Sequence, residues 1–71
     1  MDKRQTFEYL QQAERHVAKG FEILERQRAV IAKLEAKGLD TAQSRVLLVQ
    51  FEEIQAIHEA DRERLLKELD A

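Results

Sequence analysis

Leu10, Val17, Leu24 and Ile31 recur every seven residues, and Ala13, Gly20, Gln27 and Leu34 follow three places after each. This alternation of three and four lays one line of side chains along a helix toward a partner, and it predicts a helix over about residues 3–37. The second line of that seam is unusually small and polar, which lets a partner helix approach closely or leaves room for a bulky side chain opposite. A second amphipathic segment covers about residues 41–69, with Leu47, Phe51, Ile54, His58, Asp61, Leu65 and Leu69 as its expected inner line. Within it, Val46-Leu47-Leu48-Val49 is apolar on every side. In a long segment of helical period, that run reads as helix buried from two directions rather than as a strand.

Lys37-Gly38-Leu39-Asp40-Thr41 is the one clear break, in a chain with no proline. Gly38 suits the left-handed position that ends a helix, with Leu39 then able to reach back to Leu34. Asp40 is the expected cap of the second helix, in a D-x-x-Q box with Gln43. Lys33 and Lys37 place cations in the last turn of the first helix, where the helix dipole favours them. The first helix is expected to start at Asp2, in a D-x-x-Q box with Gln5, or at Thr6. The expected fold is therefore all-α: one domain over residues 1–71, an antiparallel, coiled-coil-like two-helix hairpin with its turn at 38–40. Equal rise along both helices then sets Ile31 against Leu47, Gln27 against Phe51, Leu24 against Ile54, Gly20 against His58, Val17 against Asp61 and Ala13 against Leu65.

Charge refines this picture. Charged residues make up 37% of the chain and aromatics 6%, a helix-rich balance. Residues 1–38 hold eight Lys/Arg and six Asp/Glu, and residues 39–71 hold four and eight, so the halves carry +2 and −4. Opposite signs favour pairing of the two helices, by about 0.2–1 kcal/mol per exposed pair. Lys19, Arg26 and Lys33 form a basic stripe, but Glu22 and Glu25 interrupt it and no stacking aromatic accompanies it, so nucleic acid is not an expected partner. The opening residues lack the apolar run of a secretory signal, and no stretch reaches membrane-spanning length, so a cytoplasmic protein without membrane association is expected.

More apolar side chains are present than one seam can cover. Phe21, Ile23 and Val30 flank the first seam, as do Phe7 and Tyr9; Val46, Leu48, Val49 and Ile57 flank the second. Leaving large apolar side chains in water forfeits about 1.5–3 kcal/mol each, and contiguous patches mark interfaces. A homodimer forming a four-helix bundle is expected, with Phe21, Ile23, Val30, Val46, Leu48, Val49 and Ile57 at its interface. The alternative is a monomer whose flanks are half-covered by Lys and Arg stems.

Chemistry has few candidates. With no cysteine there is no disulfide, thiolate zinc site or thiol nucleophile. No glycine-rich phosphate loop occurs, and Ser44 sits in a first helical turn with no plausible base, so no catalytic residue and no cofactor are expected. His16 and His58 are the only histidines. His58-x-x-Asp61 sets an imidazole and a carboxylate one turn apart, with His16 and Glu14 within about a turn across the hairpin. Such a cluster is raw material for a metal site in a bundle. The paired Glu-x-x-His motifs of such sites are missing, since Gln55 and Ala13 stand three places before the histidines. The plainer reading is a buried polar layer in which His58 fills the space above Gly20 and Asp61 orients it. Gln27 reads likewise as a register-setting polar residue.

His16, Gly20 and Gln27, the turn Gly38-Leu39-Asp40-Thr41, Leu47-Leu48, Phe51, His58 and the Arg62-x-Arg64-Leu65-Leu66 ending together resemble a group of short bacterial helical-hairpin proteins with a G-x-D-T turn. The resemblance implies a bacterial cytoplasmic setting and a small stand-alone protein, and no activity or ligand. The expected function is non-enzymatic: an interaction or regulatory protein acting by helix packing, on a second copy or on a partner's helices. The alternative is a metal- or cofactor-binding bundle using His16, His58, Asp61 and Glu14.

Overall fold

The computed structural model describes residues 2–71. Helix α1 runs Lys3–Ala36 and helix α2 runs Ala42–Asp70. They pack against each other along their length as a rod of 53 × 14 × 13 Å. This is the helical hairpin, with no strand among the described residues.

The Asp2 cap of α1 and the glycine end of that helix carry through. Asp2 is the N-cap of α1, its carboxylate accepting from the Gln5 N–H at 2.8 Å. Thr6 then lies inside the helix, buried, with its hydroxyl donating to the Asp2 carbonyl at 3.0 Å. At the other end Gly38 takes φ +69°. Leu39 N–H reaches the Leu34 carbonyl at 2.9 Å and Gly38 N–H the Glu35 carbonyl at 3.0 Å. Those two bonds are the Schellman pair, and they satisfy carbonyls that the helix end would otherwise orphan.

The start of α2 departs from the expected capping box. Thr41 holds the cap position with no side-chain cap bond, and Asp40 instead accepts from Ala42 N–H at 3.0 Å. This is an Asx-type turn, which a short carboxylate makes with the backbone two residues on. Arg45 secures the corner, donating to the Thr41 hydroxyl at 3.0 Å and pairing with the Glu35 carboxylate.

In α1 the seam is the expected one: Leu10, Ala13, Val17, Leu24 and Ile31 are buried, and Gly20, Gln27 and Leu34 half-buried. In α2 the inner line is different. Ser44, Leu48, Phe51, Gln55, His58, Arg62, Leu65 and Leu69 carry the burial, while Leu47, Ile54 and Asp61 are exposed. The register shifts too, by about one turn: Gly20 faces Gln55, not His58.

The cause is polar. Gln55, only 4% exposed, donates from Nε2 to the Val17 carbonyl at 2.9 Å. Its amide occupies the space a side chain at position 20 would fill, since a Cβ there would lie 1.7 Å from Gln55 Oε1. Gln27 does the reverse, donating from α1 to the Ser44 carbonyl of α2 at 2.8 Å. Two amides thus cross the seam in opposite directions onto backbone carbonyls. Each bond contributes about 0.5–1.5 kcal/mol and holds only in one register. The apolar part of the core is correspondingly thin. It gathers at the open end, where Leu10, Ala13 and Leu65 cluster with Leu69 against them.

Candidate interaction surface

Rotating α2 by one position decides what the hairpin shows to its surroundings. The residues preceding the seam line on α1 are Tyr9, His16, Ile23 and Val30, and those preceding it on α2 are Leu47, Ile54 and Asp61. They share one flank. His16 and Ile23 line a groove with Phe51 and Ile54, and Tyr9 and His16 line the next groove with Asp61 and Leu65. Ile54 is 49% exposed, and Tyr9, Val30 and Leu47 are exposed with it. Ile57, one turn further along α2, widens the same stripe. Lys19, Arg26 and Lys33 edge it on the α1 side.

The opposite flank is charged. Arg28 pairs with Glu52 at 3.6 Å across the helices, and Glu35 pairs with Arg45. Glu14 and Glu59 lie along the same flank by heptad position, with Phe7, Phe21 and Leu66 between the charges. These ion pairs are about half exposed, so each contributes at most about 1 kcal/mol. Their larger effect is to break this side into charged and apolar patches, because Phe7, Phe21 and Leu66 stay exposed between the pairs.

The seven expected interface residues therefore separate. Ile23, Val30 and Ile57 lie on the open apolar flank. Phe21 sits among the charges opposite, and Val46 and Val49 are exposed on the outer side of α2. Leu48 is half-buried in the seam and has exchanged places with Leu47. Ile54 was assigned inward by its hydrophobicity and faces out. The signal that finds it is the pairing of Gly20 with a glutamine able to fill its slot.

His16 and His58 come together, their ring centres 5.0 Å apart and the rings tilted by 47°. Asp61 lines a groove with His16 but its nearest ionic partner is Arg64, at 3.9 Å. Glu14 stands on the other flank. Among the described residues, no group of three or more His, Asp or Glu side chains is close enough to hold a metal ion. Among the described residues, too, no helix is long and apolar enough to cross a membrane. No protein-family model, no curated protein and no solved structure matches the chain.

Proposed function

We propose that the chain is a non-enzymatic helical interaction protein of the bacterial cytoplasm that pairs with a second copy of itself, forming a four-helix bundle through the flank of Tyr9, Ile23, Val30, Leu47, Ile54 and Ile57. The observation that carries this reading is the orientation of α2. It turns Gln55 and Arg62 toward its own partner helix and leaves Leu47, Ile54 and Ile57 outside. A lone hairpin gains the Gln55 bond by that choice but leaves the more apolar stripe in water, whereas a bundle buries both stripes.

Area supports the same reading. The chain exposes 5448 Å², against about 4,600 Å² for a compact monomer of 8.3 kDa. The excess of about 850 Å² follows from the rod shape and is similar in size to the ~800 Å² each partner contributes to a stable interface. An apolar centre edged by Lys19, Arg26, Lys33 and Gln50 also matches the usual layout of a dry core with a polar rim.

Sedimentation equilibrium tests the proposal. The expected species has twice the 8.3 kDa chain mass, and Ile54→Lys returns it to the monomer with its helix content retained. A single 8.3 kDa species at high micromolar concentration, or a dimer unmoved by Ile54→Lys, refutes it.

A further inference from the structure

We infer that His16 and His58 form a cross-helix bis-imidazole clip for a divalent transition-metal ion, zinc being the natural probe. Two imidazoles bound to one ion, each nitrogen about 2.0–2.1 Å from it, have ring centres about 5 Å apart at a tetrahedral angle. The rings here are 5.0 Å apart before any ion is present. They come from different helices, His16 from α1 and His58 from α2, so an ion held between them links the pair. A histidine ring turns easily about its last torsion, and a 47° tilt leaves the rings unstacked.

The surroundings suit a cation. The nearby cations are engaged elsewhere: Lys19 with Glu22 at 3.1 Å, Arg64 with Glu68 at 3.2 Å, and Arg62, one turn beyond His58 on the seam, with Glu63 at 3.8 Å. Gly20, beside both histidines in their groove, adds no side chain. Gln55 lines the same groove, and its buried Oε1 has no hydrogen-bond partner. That oxygen is packed into the Gly20 slot, so it takes no part in coordination. Imidazole nitrogen is the ligand type that selects zinc, nickel and copper over magnesium or calcium. With only two protein ligands the remaining positions belong to water while the flank is uncovered; the groove lies on the flank proposed to pair, so a second copy seated there would limit that access.

The test uses the full chain stripped with chelator, with thermal unfolding followed by circular dichroism as zinc chloride is added. An ion that binds only the folded pair must raise the Tm saturably. The expected result is a saturable rise at one zinc per chain, reversed by chelator and abolished in both His16→Ala and His58→Ala. Magnesium should give no rise. Each variant's Tm without zinc shows whether it folds, and zinc-dependent shifts of the imidazole NMR signals in the unaltered chain give a readout independent of the variants. A rise that persists in His16→Ala, no rise at saturating zinc, or zinc-dependent doubling of mass at sedimentation equilibrium each overturns the clip.

Discussion

Replacing Gly20 by alanine asks for one methyl group in a space already taken. The new Cβ would lie 1.7 Å from Gln55 Oε1 and 2.6 Å from its Cδ. The amide must swing aside, giving up its bond to the Val17 carbonyl. Losing that bond costs about 0.5–1.5 kcal/mol, and crowding a packed seam typically costs about 1–3 kcal/mol. Removing glycine from a helix interior returns about 1 kcal/mol. The balance is a net loss of about 1–2 kcal/mol for Gly20→Ala.

A second background gives the sign its force. In Gln55→Ala the amide is gone, so the same methyl enters vacated space and only the helix preference remains. There Gly20→Ala should stabilise by about 1 kcal/mol. The coupling between the two positions is then about 2–3 kcal/mol, within the range for residues in direct contact. Urea unfolding monitored by helix ellipticity measures all four proteins, at one fixed chain concentration because self-association would shift every midpoint. Equal stabilisation by Gly20→Ala in both backgrounds would show that Gln55 does not occupy the glycine slot, and the account of the register would fail with it.

The ends of α1 offer independent checks. Gly38→Ala places a Cβ at φ +69° with no atom within 4 Å of it, so its cost is backbone strain alone, about 1–2 kcal/mol. Gly38→Asn should recover part of it, and a Gly38→Ala Tm equal to that of the unaltered chain would contradict the left-handed cap. Asp2→Ala removes the acceptor of the Gln5 N–H and should cost about 1 kcal/mol. Faster amide exchange confined to the first turn of α1 checks where that loss falls.

How much of this was legible beforehand differs between the helices. In α1 the apolar residues of the seam have no large apolar rivals beside them except at Tyr9, Ile23 and Val30, and the heptad reading places Leu10, Val17, Leu24 and Ile31 as found. The Schellman end was equally readable, because few residues other than glycine accept a positive φ. In α2 two stripes pass through Phe51, His58 and Leu65, one by way of Leu47, Ile54 and Asp61 and the other by way of Leu48, Gln55 and Arg62. Hydrophobicity ranks the first stripe higher. A burial rule applied to one helix cannot see that Gly20 and the Val17 carbonyl on the other helix accommodate an amide. The meeting of His16 with His58 survived this error because His58 belongs to both stripes. The grouping with Asp61 and Glu14 did not, because Asp61 lies on one flank and Glu14 on the other.

The polar cross-links between the helices also grade the order in which the hairpin can close. Glu35–Arg45 spans ten residues of chain, Gln27–Ser44 seventeen, Val17–Gln55 thirty-eight and Lys3–Leu69 sixty-six. Closing the longest loop directly rather than the shortest costs about 1.7 kcal/mol more in chain entropy. Closure from the corner outward avoids that cost, since each link shortens the loop left for the next. The hairpin is thereby built to zip from Gly38 toward its termini and to open in the reverse direction, with Lys3 the first cross-link released and Arg45 the last.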